Sequence, residues 1–235
     1  MQDMFIGKWV FPQGDSLEQQ VGRGKETNLD VIVKDIITKL EITKKDVVLD
    51  VCCGNGMITR KIADECESIC GVDFSEVLIN TAKQKNQTEN ITYYLSDALN
   101  ITNIFPDNCF DKSYLYFSFQ YFKYDIGKQV IKMLSQVTKH GGKIFIGDIP
   151  DKTRRSNYYN TFRKRLRFLK NSVLRILENI DGEDSLGWWW HPNRMKRICR
   201  KLDLKCEIIE QNRNLPHYNY RFDALILNIK RIQND

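Results

Sequence analysis

The stretch Val47-Val48-Leu49-Asp50-Val51-Cys52-Cys53-Gly54-Asn55-Gly56 constrains this 235-residue chain more than any other. It opens as a short apolar run rich in β-branched residues, the pattern of a strand buried on both faces. It closes in a turn holding Gly54 and Gly56, after which Met57–Ala63 reads as a helix. A strand feeding a glycine turn that opens a helix creates a ligand crevice at the carboxyl end of the sheet, where glycine lets backbone approach a ligand closely. Two glycines alone fit any strand-to-helix turn, so the order of the downstream segments decides.

The next apolar run, Ser68–Val72, ends at Asp73, about twenty residues past the glycine turn, where a carboxylate can hold a ribose diol. A dinucleotide site also requires a third glycine beside the pyrophosphate, and Thr59 stands there instead. A nucleoside ligand without a pyrophosphate therefore fits better. At these residues the sequence resembles the class I S-adenosylmethionine-dependent methyltransferases. Asp50 with Cys52-Cys53-Gly54-Asn55-Gly56 is similar to their glycine-rich first motif, with Cys52 where glycine is usual. Gly71-Val72-Asp73-Phe74-Ser75 resembles the ribose-binding end of their second strand, and Ser96-Asp97-Ala98 the adenine-contacting turn. Phe110–Tyr114 and Gly141–Ile146 resemble their fourth and fifth strands. The resemblance covers roughly residues 45–150, in family order. It implies a Rossmann-like α/β fold: a mostly parallel seven-stranded sheet with an antiparallel last strand and helices on both faces. It also implies S-adenosylmethionine as methyl donor, S-adenosylhomocysteine as product, and Asp50, Cys52, Gly54, Gly56, Asp73, Phe74, Asp97 and Ala98 around the donor.

A chain of this length suits one domain over residues 1–235, with 1–26 as an N-terminal lid and 151–191 as a helical insertion on the substrate side. Hydrophobic residues at 42% against 28% charged ones are ordinary for a soluble globular protein. No apolar run has bilayer-spanning length, and Met1–Phe5 lacks the pattern of a signal peptide, so a cytoplasmic location is expected. Seven cysteines, an odd number without paired C-x-x-C spacing, argue against a disulfide framework and against a zinc site; no metal is expected.

In chain order, the lid carries Arg23 between Gly22 and Gly24, free to pair with a carboxylate of a ligand, although a solvated terminus fits the same composition. Apolar spacing predicts a helix over 28–40, Ser75 is a suitable cap for a helix at Glu76–Lys85, and Ile91–Leu95 reads as a strand. The strand from Asp111 to Phe119 ends among Tyr116, Phe117, Phe119, Tyr121 and Phe122, which can wall an adenine or shield a methyl group, or simply pack. A helix over 126–138 is predicted to end at His140-Gly141-Gly142, with His140 favourable at the helix C-terminus. Residues 154–178 hold an apolar stripe crowded by Arg163, Lys164, Arg165, Arg167, Lys170 and Arg175, suited to an anionic membrane surface on the inner face, an acidic substrate, or plain solvation. Three adjacent tryptophans, Trp188–Trp190, cannot all enter one core, which predicts that at least one lines a pocket or interface. Leu204–Glu210 and Tyr220–Ile229, joined without a helix, are expected to pair antiparallel.

Methyl transfer from a sulfonium needs donor and acceptor held in line, and an alcohol acceptor also needs its proton removed. Asp148, just past the fifth strand, and His191, beside the tryptophans, are the candidate bases. No nucleobase-methylating motif follows the fourth strand, where Phe117-Ser118-Phe119-Gln120 stands. The expected acceptor is a small polar molecule, a sugar hydroxyl of a surface glycan or its activated precursor. Tyr220–Leu225 and Gln20–Arg23 resemble segments of polysaccharide-associated methyltransferases. The alternatives are N-methylation of a small amine or amino sugar and, from another class, an RNA-binding protein on the same scaffold, for which the sequence offers less.

Overall fold

The computed structural model describes residues 16–21, 28–163, 165–166 and 186–229. Its seven strands are β1 (Val47–Val51), β2 (Ser68–Asp73), β3 (Ile91–Leu95), β4 (Phe110–Tyr116), β5 (Thr138–Pro150), β6 (Lys205–Glu210) and β7 (Arg221–Leu227). They form one sheet in the order β3-β2-β1-β4-β5-β7-β6, parallel except that β7 runs against both β5 and β6. The helices are α1 (Leu17–Gln20), α2 (Leu29–Leu40), α3 (Met57–Ala63), α4 (Glu76–Lys85), α5 (Tyr124–Val137), α6 (Arg155–Tyr158) and α7 (Pro192–Lys201).

Strand alternation explains why both faces of the sheet are covered. Leu49, Leu115, Ile144 and Ile146 enter one core with Val130, Ile131 and Leu134 of α5 and Met195 of α7. Their chain neighbours Val48, Tyr114 and Phe145 enter the other, with Ile36 and Leu40 of α2 and Ile62 of α3. Local sequence fixes the helix ends. The Asn28 side chain accepts from the amides of Asp30 and Val31 at the start of α2, and Ser75 Oγ accepts from Leu78 at the start of α4.

The C-terminus of α5 falls within a residue of expectation, but its cap differs. The helix stops at Val137, and His140 stands exposed within β5. Asn228, just past β7, donates from its amide to the carbonyls of Ser135 and Thr138, at 2.8 and 2.6 Å, so a distant side chain does the capping assigned to His140.

The tryptophan triplet also resolves differently. Residues 188–190 run extended, with Asp151 bridging to Trp190, and the rings alternate sides. Trp190 is fully buried against Phe119 and Tyr124, so close to Gly127 that a β-carbon there would lie 2.5 Å from the indole. Trp189 is buried on the other side with Tyr158 and Tyr220. Only Trp188 is half-buried, against Tyr124 and Lys123. An extended backbone lets neighbouring indoles enter different packing layers, so two of the three are core residues and Trp188 alone remains for a pocket or interface.

Most of the basic segment 154–178 lies outside the described residues, as do Lys164, Arg167 and Lys170. Within its described part, Phe162 is 76% exposed and Leu166 50% exposed. Among the described residues no helix is long and apolar enough to cross a membrane.

Candidate active site

The sheet order reverses between β1 and β4, and in an open α/β sheet the crevice at such a switch point is where ligands bind. The crevice there is walled by Cys52, Cys53 and Gly54 after β1, Asp73 and Phe74 at the end of β2, Asp97 and Ala98 after β3, and Phe117 after β4.

Asp73 is its chemical centre. One carboxylate oxygen accepts from the amide of Ser75 and the other from the amide of Gly54, both at 2.9 Å. A carboxylate has about four acceptor sites, so these amides leave room for a further donor such as a ribose hydroxyl. Burial raises the Asp73 pKa, opposed by the amides of Ser75, Gly54 and Phe74. Asp97 begins the short 3-10 turn over Ala98–Asn103, accepting from the Leu99 amide at 2.8 Å while its surface remains exposed.

The turn after β1 carries three residues in left-handed backbone: Cys52 at φ 61°, Gly54 at 59° and Gly56 at 78°. The first accounts for the glycine usual at this motif position, since a side chain there is strained. Ser118, whose hydroxyl donates to the Tyr116 carbonyl at 3.2 Å, lines the same crevice as Cys52. Both thiols sit in an enclosed space, and burial pushes the pKa of each well above the ordinary range. The next largest influence is Asp73 on Cys52 and Asp50 on Cys53.

Two residues expected at the donor stand behind the wall. The Asp50 carboxylate is buried and accepts from Thr59 Oγ1 at 2.6 Å, tying β1 to the helix it feeds. Gly56 leads into α3, and a β-carbon there would come 2.3 Å from the Tyr93 hydroxyl. Its smallness serves packing.

Neither candidate base faces the crevice. Asp148, itself at φ 62°, is 5% exposed and closes a buried cluster. Its Oδ2 lies 2.9 Å from Arg221 Nη1, and its Oδ1 accepts from Gln211 Nε2 at 2.6 Å. Arg221 Nη1 also donates to the Asp148 carbonyl and to Gln120 Oε1, both at 2.6 Å. The left-handed turn aims Asp148 at β7 and away from the crevice. His191 caps α7, its Nδ1 accepting from the Asn193 amide at 3.2 Å, and it opens onto a separate cleft. The structure thus does not bring the two together, and each has a structural duty.

Sequence reasoning missed Val21. Helix α1 is capped by Ser16, and Asn55 of the glycine turn donates to the Leu17 carbonyl at 2.8 Å. Val21 then reaches the crevice, with its Cγ1 2.9 Å from where a β-carbon on Gly54 would stand. Gly54 is the residue that lets this segment dock. Arg23, the residue singled out there, lies outside the described residues. With Val21 seated the crevice holds about 130 Å³, below the roughly 300–1,000 Å³ of ligand pockets, so Val21 narrows the space beside Gly54. Cys53, Leu78 and Ser118 also line the crevice and carried no sequence signal of their own.

Comparison with known proteins agrees with this geometry. Residues 48–142 match the family model described as a methyltransferase domain. A demethylmenaquinone methyltransferase of Geobacillus is 30% identical over 139 residues, 55% of this chain and 58% of its own length. A 2-phytyl-1,4-naphtoquinone methyltransferase of Nostoc punctiforme is 30% identical over 147 residues, 59% and 60% of the two chains. The chain therefore spans little more than half of these relatives. Among solved structures, a SAM-dependent methyltransferase of Leishmania major matches with a TM-score of 0.69 at 14% identity, over 96% of this chain and 82% of its own. A [4+2]-cyclase matches with a TM-score of 0.61 at 13% identity, over 86% and 81%. The fold is that of the S-adenosylmethionine-dependent methyltransferases, Rossmann-like with an antiparallel last strand. Since it also carries a cyclase, the reaction has to be argued from the site.

Proposed function

We propose that the protein transfers a methyl group from S-adenosylmethionine to a small acceptor, a sugar of a surface glycan or of its activated precursor. The observation that carries the donor half is Asp73. Its carboxylate stands at the carboxyl end of β2 with acceptor capacity left beyond its backbone amides, beside the close-approach turn at Gly54. Phe74, Leu78 and Ala98 offer the base an apolar slot. When bound, S-adenosylmethionine supplies an electrophilic methyl group on a sulfonium.

Tyr116, Phe117, Tyr121 and Phe122 form the wall of the crevice beyond the donor motifs. Aromatic faces stack on sugar rings and exclude water, so this wall orients an acceptor. Among the described lining residues the carboxylates are Asp73 and Asp97, both at the donor end, and no imidazole is present. An amine arriving neutral needs no base, which favours an amino sugar. A sugar hydroxyl would pass its proton to water or through the Ser118 or Tyr121 hydroxyl. A second reading is an aromatic acceptor of the quinone type, favoured by the names of the relatives and by the same wall.

The test measures S-adenosylhomocysteine release against a panel of nucleotide sugars, amino sugars and a demethylmenaquinone analogue. Turnover with a sugar compound is expected. Turnover confined to the quinone analogue would replace the sugar reading with the second one.

A further inference from the structure

An open cleft of about 810 Å³, sharing no lining residue with the donor crevice, lies between the start of α5 and one face of α7. Lys128, Lys152, Arg194, Arg197 and Lys201 line it together with His191, against a single carboxylate, Asp125. Helix α7 carries five cations in ten residues (Arg194, Lys196, Arg197, Arg200 and Lys201) and no acid. Arg194, Arg197 and Lys201, three and four residues apart, project from one face of it. Like charges at that spacing repel, and Arg194 in the first turn opposes the helix dipole.

The arrangement is nonetheless braced. The Arg194 guanidinium stacks on Tyr124 at 3.6 Å from the ring centre. Tyr124 is fixed in turn by its hydroxyl, which donates to the Trp189 carbonyl at 2.8 Å, and by edge contacts to Trp188 and Trp190. Among the described residues, Lys128, Arg194, Arg197 and Lys201 have no carboxylate partner. A solvated basic face needs neither a concave shape nor an arginine held on a rigid aromatic base. Both features suit a guanidinium that presents paired N–H donors to phosphate oxygens.

We propose that this cleft binds a phosphate-bearing anion of diphosphate size, at a site separate from the donor crevice. The phosphates could belong to a soluble nucleoside diphosphate or to a lipid headgroup.

Calorimetry with inorganic pyrophosphate at low salt tests it on the full chain. Saturable binding that weakens with added salt is expected. R194Q/R197Q should weaken it by at least about tenfold, with an unchanged melting temperature as the fold control. K83Q/K85Q, which removes two exposed cations from α4, should leave it unchanged. Should the arginine variant fail to fold, K128Q/K201Q is expected to give the same loss. Displacement of pyrophosphate by a nucleoside diphosphate sugar assigns the soluble source, and displacement by phosphatidylglycerol vesicles the lipid one. The proposal is overturned by absence of saturable binding, by an equal loss in K83Q/K85Q, or by failure of both competitors to displace pyrophosphate.

Discussion

Replacing Asp148 by asparagine separates a buried ion pair from a catalytic base. Asparagine tolerates the left-handed backbone at φ 62° and keeps the side-chain shape, so the substitution removes chiefly the charge. Arg221 is 1% exposed, and its Nη1 lies 2.9 Å from the Asp148 carboxylate. Without Asp148 its charge stays buried beside Gln120 and the ring of Phe117, neither of which is anionic. Breaking a buried pair from one side costs about 3–5 kcal/mol, a large part of the roughly 5–15 kcal/mol that keeps a domain folded. Denaturant unfolding of D148N should show that loss, and adding Arg221→Met should recover much of it, because the orphaned charge leaves as well. Under conditions where D148N remains folded, its single-turnover methyl-transfer rate should stay within a few-fold of wild type. A stability change below about 1 kcal/mol, joined to a rate loss of the hundredfold or more expected of a lost base, would refute the reasoning.

Two further outcomes follow from the carboxylates. Asp73→Ala should weaken S-adenosylmethionine binding roughly tenfold to a hundredfold, the cost of about 1.5–3 kcal/mol for losing a charge-assisted contact; calorimetry showing unchanged affinity would remove Asp73 from the donor site. Asp223 is buried against Lys39, and burial raises its pKa from 3.8 to about 6, so between those two values the native state holds a proton there that the unfolded chain has released. Its contribution is therefore fully present below 3.8 and lost as pH rises through about 6, a change of roughly 3 kcal/mol relative to D223N. A pH-independent difference between wild type and D223N unfolding would rule this out.

The sheet and the donor motifs were legible because they rest on local patterns. Val47–Val51 and Ser68–Asp73 read as strands from apolar runs, and the positions of Gly54 and Asp73 follow from the ends of those runs. Asp148 and His191 were not legible. The duty of Asp148 depends on Gln211 and Arg221, 63 and 73 residues away along the chain. That of His191 depends on one backbone amide two residues on, which no periodicity reveals. The end of α5 was legible to within a residue, but its capping amide, from Asn228, was not, for the same reason. Val21 carried no chemistry of its own, and only the bare backbone of Gly54 reveals why it matters.

The donor proposed for this crevice is an alkylating agent, and the crevice is lined by two sulfur atoms, those of Cys52 and Cys53. Thiolate would be the strongest nucleophile on its wall, and a methylated Cys52 or Cys53 would obstruct the site for good. Burial and the carboxylates Asp50, Asp73 and Asp97 hold Cys52 as the neutral thiol; burial, Asp50 and Asp73 do the same for Cys53. If the crevice holds S-adenosylmethionine as proposed, the carboxylates beside these thiols also disfavour the thiolate that the donor would methylate. Cys52 keeps the backbone strain of a glycine position, but the carboxylates around it oppose the thiolate that would react.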